Sequence, residues 1–233
     1  MQRGKQGMAL LASVKYPSKP SKGGESGAQR PRSSAEGAPA VSATEQTVRE
    51  AMNALSPEAG IKRLQACLAG LKEVGAASRV YWALGTLYGQ LDPPDIERAM
   101  EALQTAAGQA RSAEDRHRAA LSLAGLLAQK GDRAQAEERI RSALEYDKMV
   151  TLPGLQLEIL LGKLYEDDGA NEAAEAAYKN AVDDAAAAGV SAANIYRQAC
   201  LSLARFYRKL GRDADADALA RVMKTQLDGA KAE

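Results

Sequence analysis

Apolar positions recur along much of this chain at the spacing of helices that bury one face. Between residues 157 and 166, Ile159, Leu160, Leu161, Leu164 and Tyr165 fall on one helical stripe, with Glu158, Lys163 and Glu166 between them. Gly169 ends this helix, since glycine enters the left-handed region without steric cost. Asn171 is then placed to cap the next helix, and Glu172 favours its positive N-terminal end. That second helix carries small residues at Ala174, Ala177 and Ala181 around one large one, Tyr178. Small positions let two helix backbones approach, and the large residue fills the space left over. The stretch 157–181 therefore predicts a helical hairpin.

The same order of residue types appears three more times. Leu123-Ala124, Leu127, Gly131, Ala136, Ile140 and Ala143 repeat it without a gap, and Leu203-Ala204, Tyr207, Gly211, Ala216, Ala220 and Met223 repeat it with Met223 where alanine is usual. Tyr81, Leu84-Gly85 and Tyr88 form an earlier first helix, followed by Ala99, Leu103 and Ala106 after a turn lengthened by residues 91–95. This pattern resembles the tetratricopeptide repeat, with Leu161-Gly162, Tyr165, Gly169, Ala174, Tyr178 and Ala181 standing at the family's positions. Glu158 departs from it, because the family has a bulky residue there. The resemblance implies an all-α, right-handed superhelical solenoid of about five antiparallel helix pairs. Gly85, Ala124, Gly162 and Ala204 are then one equivalent position, small because a neighbouring helix presses against each.

Helix-start signals divide the chain. Ser42 to Glu45 reads as a capping box, with a helix running to about Leu55, and Ser56-Pro57 reads as a cap followed by proline in the first turn. Residues 41–75 are expected to be a degenerate repeat that caps the stack, followed by repeats over 78–110, 113–146, 152–187 and 191–228. Within them, Ser112 with Asp115, and Asp213, stand at helix starts. Residues 1–40 are rich in Ser, Gly, Pro, Lys and Arg and show no sustained periodicity. That composition suits a disordered basic tail or an organelle transit peptide, and Met8 offers an alternative start.

Composition narrows the function classes. A net charge of +1 over 233 residues makes no case for nucleic acid as a partner of the whole chain. No apolar run approaches the ~20 residues that span a bilayer. Cys67 and Cys200 lie near opposite ends of the expected stack, too far apart for a disulfide, which fits a reducing, cytoplasmic setting. His117 lies in the first turn of a helix between Arg116 and Arg118, with no second histidine to share a metal, and reads as a solvated surface residue. The run Asp213, Asp215, Asp217 lacks the glycine and glutamate of a calcium loop. Asp167-Asp168 and Asp183-Asp184 read as solvated helix ends. No residues gather for acid–base or nucleophilic work, so no enzyme, cofactor or metal site is expected.

In the tetratricopeptide family the first helix of each pair lines the inner groove. By position, that groove would carry Arg79, Trp82, Thr86 and Gln90, then Arg118, Leu121 and Gln129. Gln156, Ile159, Lys163 and Glu166 follow, and then Gln198, Leu201, Arg205 and Arg208. Trp82, Leu121, Ile159 and Leu201 form an apolar seam that either packs helix on helix or faces a partner. The resemblance implies an adaptor that holds a partner peptide or helix in this groove, with Trp82 as anchor and Arg205 and Arg208 favouring acidic residues. Trp82 and Thr86 stand where some relatives carry the lysine and asparagine that clamp a chaperone's C-terminal carboxylates, which argues against that role. A scaffold self-assembling through its ends is the rival reading, and a hidden ligand site is a second.

Overall fold

The computed structural model describes residues 42–71, 74–146 and 148–229. The tail expected over 1–40 lies outside them. Ten α-helices run through the described residues as five successive hairpins. They are α1 (Ala43–Met52) with α2 (Pro57–Gly70), α3 (Val74–Gly89) with α4 (Ile96–Gln109), α5 (Ala113–Lys130) with α6 (Arg133–Tyr146), α7 (Leu152–Asp167) with α8 (Asn171–Ala187), and α9 (Ala193–Lys209) with α10 (Asp213–Gly229). A 3₁₀ turn, Gly189–Ala192, joins α8 to α9. Each hairpin closes on itself, and each first helix also packs on the first helix of the next pair. The first helices form a continuous layer, α1, α3, α5, α7 and α9, with the second helices outside it. The molecule is an all-α solenoid.

Local sequence sets most of the helix ends. Ser42, Ser56, Asp95, Ser112 and Thr151 each accept a backbone N–H of the following turn through the side-chain oxygen, as caps do. Gly131, Gly169 and Gly211 take positive φ at the hairpin turns, where a β-carbon would be strained. Two expected caps differ. α8 begins at Asn171 itself, after Ala170, which makes no side-chain cap bond. α10 likewise begins at Asp213, and the aspartates of its first turn act through the helix dipole rather than as a cap. The first helix stops at Met52, three residues short of Leu55, where the Asn53 side chain bonds the Arg49 carbonyl.

Packing within the pairs depends on the small positions. A β-carbon on Gly85 would lie 2.5 Å from Leu103 Cγ and 2.9 Å from the Ala99 carbonyl oxygen on α4. One on Gly162 would lie 2.7 Å from the Tyr178 ring. Ala124 and Ala204 stand at the same position in their pairs and are buried. Gly60 repeats the device in the first pair, against the Ala51 carbonyl of α1. Two apolar cores result. One runs from Val48 to Leu164, and the other gathers α8 and α9 around Tyr178, Phe206 and Tyr207. Helix α7 belongs to both: Leu157, Leu160 and Leu164 face the first, Leu155 and Ile159 the second. On the last helix Arg221, Lys224, Thr225 and Asp228 are exposed, with Val222 the one large apolar side chain exposed among them, a largely polar end of the kind a solenoid needs.

Candidate partner-binding surface

The inner layer does not present every residue that repeat position assigns to it. Trp82 is 4% exposed. Its indole N–H donates to Ser122 Oγ on α5 at 3.0 Å, and the Arg118 guanidinium lies 5.4 Å above its ring. The Thr86 hydroxyl donates to the Trp82 carbonyl at 2.9 Å and is buried with it. Trp82 is thus a strut between successive first helices, not an open anchor, and its tip finds the partner that a buried indole needs. Ile159 is buried against the second core. Of the apolar seam, Leu121 is half-buried and Leu201 is 56% exposed. Gln90, Gln156 and Gln198 are partly exposed, and Gln129 is exposed.

The basic residues separate into two groups. Toward the N-terminal end they are spent on internal carboxylates. Arg79 bonds Asp115 at 3.1 Å and approaches Glu45 at 3.7 Å, and Arg118 pairs with Asp115 at 3.0 Å and with Glu114. Asp115 is itself buried at the start of α5 and also accepts the Ser112 hydroxyl, so these arginines organise the helix start. Toward the C-terminal end the balance changes. Lys163 and Arg205 make no ion pair among the described residues, although Arg205 reaches the Tyr178 hydroxyl, and Arg208 pairs loosely with Asp217 at 3.7 Å, with both side chains exposed. Glu166, the acid among them, is taken up at 3.0 Å by the Tyr178 hydroxyl and at 3.0 Å by Lys209. Burial, followed by the Glu166 charge, pushes the Tyr178 phenol above its ordinary range. Gln198, Leu201, Arg205 and Arg208 follow one another at three- and four-residue steps and share one stripe of α9.

His117 corrects another expectation. It is 0% exposed, packed where α5, α6 and the start of α7 meet. Its Nε2 lies 3.2 Å from the Ala143 carbonyl and its Nδ1 2.7 Å from Thr151 Oγ1. A carbonyl can only accept, so Nε2 carries the proton and Nδ1 accepts the Thr151 hydroxyl. The Thr151 oxygen in turn accepts the Gly154 N–H at 3.0 Å. The imidazole therefore fixes the cap of α7 to α5 and α6. Its partners lie 26 and 34 residues away, which is why its neighbours in sequence did not reveal it.

No group of three or more His, Cys, Asp or Glu side chains converges as a metal site among the described residues. Cys67 and Cys200 are both free thiols, and burial raises the Cys200 thiol. No described helix is long and apolar enough to cross a membrane.

The fold and this surface define a class, the helical-hairpin solenoids. No family model matches the chain, and no curated protein does. Among solved structures the fold is similar to MamA from AMB-1, at 15% identity and a TM-score of 0.47, over 78% of this chain and 95% of that one. A likeness of that degree carries no functional conclusion, so the functional reading rests on the residues themselves.

Proposed function

We propose that this protein is a non-enzymatic scaffold that holds an acidic peptide or helix of a partner protein along the inner face of α7 and α9. The observation that carries this reading is the pair Lys163 and Arg205, half-exposed and exposed and in no ion pair among the described residues, with the exposed Arg208 held only at 3.7 Å by an exposed Asp217, beside the open Leu201. A solenoid satisfies its own arginines where they serve packing, as Arg79 and Arg118 show. Cations kept out of such pairs supply steering and specificity for an acidic partner. Leu201 and Leu121 add apolar contact, and Gln156 and Gln198 offer hydrogen bonds to a backbone. Trp82 has no part in the contact, because its ring is already packed between α3 and α5.

The test is fluorescence anisotropy with a labelled Glu-rich peptide carrying leucine at every fourth position, compared with its Lys-rich counterpart. The acidic peptide should bind preferentially, and Arg205→Glu with Arg208→Glu should weaken it at least about tenfold. Equal binding of both peptides, or no effect of the double reversal, would refute this reading.

A further inference from the structure

The linker between α6 and α7 sets exposed apolar side chains beside two acids. The linker 148–151 between α6 and α7 borders a cavity of ≈ 170 Å³, with Leu144 and Leu155 in its apolar wall and Glu158 and Asp184 contributing the acids. Met149 and Val150 line its mouth with large exposed apolar surface, 69% and 54%. The acids come from different helices, α7 and α8, and neither forms an ion pair among the described residues. Glu158 Oε2 is buried, and the Glu158 carboxyl faces Asp184 closely enough to share a hydrogen bond with it. Burial, and the Asp184 charge beside it, raise the Glu158 carboxyl to about 7. Lys148 also lines the cavity, yet it forms no ion pair with either acid among the described residues.

We propose that this cavity is a socket for a lysine side chain of a partner protein, its aliphatic stem against Leu144, Met149, Val150 and Leu155 and its ammonium shared between Glu158 and Asp184. The walls match the two halves of such a side chain: an apolar stem that buries readily and a point charge with three donors that can bridge two carboxylates. A planar guanidinium would instead favour one carboxylate in bidentate contact. The site is independent of the inner face, and its sign is opposite, so one partner segment cannot satisfy both by charge alone.

Nuclear magnetic resonance titration of the full chain with Nα-acetyl-lysine amide tests this. Saturable shifts are expected at the amides of Gly154, Leu155 and Glu158, with affinity at least about tenfold weaker in Glu158→Gln and in Asp184→Asn. Both substitutions are near-isosteric, and circular dichroism checks that the fold persists. Binding should also weaken as pH falls below 7, when Glu158 takes up a proton. Three results would overturn the proposal. Equal shifts with Nα-acetyl-norleucine amide would make the cavity merely apolar. Tighter binding of spermidine than of the lysine amide would make a free polyamine the occupant. Shifts that appear only in Lys148→Ala would mean that the chain's own lysine fills the socket. A charge-reversed inner face should leave this titration unchanged, so failure of one site is distinguishable from failure of the other.

Discussion

Glycine to alanine inside a helix ordinarily stabilises, by about 1 kcal/mol, because alanine loses less backbone entropy. At Gly85 the opposite is expected. The new methyl would sit 2.5 Å from Leu103 Cγ and 2.9 Å from the Ala99 carbonyl oxygen, well inside the 3.5–4.0 Å optimum for carbon contacts. Leu103 is fully buried and cannot retreat into water, and the carbonyl belongs to the rigid backbone of α4. Forcing the helices apart costs about 1–3 kcal/mol for overpacking, and a contact this short lies at the upper end. Subtracting the propensity gain leaves a net loss of about 1–2 kcal/mol for Gly85→Ala. The same sign applies to Gly162→Ala, whose methyl would meet the buried Tyr178 ring at 2.7 Å. Gly125, in the middle of α5, has nothing within 4 Å of the corresponding point, and Gly125→Ala should stabilise by up to about 1 kcal/mol. Urea unfolding of the three variants measures this directly. Adding Leu103→Ala to Gly85→Ala should recover the steric part as a coupling energy. If Gly85→Ala and Gly125→Ala move stability in the same direction, the close approach of paired helices is not what keeps those positions small.

The remaining predictions follow from the buried polar groups and the surface. His117→Ala should cost about 2–4 kcal/mol, from lost packing and the stranded Thr151 and Ala143 partners, and ¹⁵N spectra of the native imidazole should show the proton on Nε2. Glu158 holds its proton to about pH 7 in the fold, so its contribution to stability falls as pH rises from about 4.5 to 7, by about 1–2 kcal/mol allowing for its contact with water; Glu158→Gln should flatten that slope in thermal melts across pH. Glu175 has the opposite sign: the Arg212 bond, followed by that of Lys179, lowers its carboxyl to about 2, so its stabilisation is complete above about pH 4.5 and is lost toward pH 2. Glu175→Gln should therefore lower the melting temperature at pH 7, while at pH 2 the two proteins converge.

Most of the fold was legible because it is encoded locally. Ser56-Pro57, Asp95 and Ser112 mark helix starts through their own side chains, and Gly131, Gly169 and Gly211 mark turns through a conformation other residues avoid. The spacing from Gly85 to Leu103, or from Gly162 to Tyr178, stays within a single hairpin and repeats along the chain. What escaped was decided between hairpins. Trp82 stands at a groove position by its place in the repeat, yet Ser122, forty residues on, claims its N–H. His117 is flanked by two arginines in sequence but surrounded by α6 and the α7 cap in space. Glu158 broke the repeat pattern, and that departure was the one signal of the cavity that it shares with Asp184. Asp184, read as a solvated helix end, lines that cavity instead. The tail over 1–40 and its reading as a transit peptide lie outside the described residues.

The most direct measurement of the scaffold reading is site-specific photocrosslinking in the native host, with p-benzoylphenylalanine placed in turn at Leu201 on the inner face and at Arg139 on the exposed side of α6. The account predicts a discrete crosslinked protein from position 201, lost when Arg205 and Arg208 are changed to glutamate, and none from position 139. Equal crosslinking from both positions, or a product at 201 indifferent to the charge reversal, would contradict it.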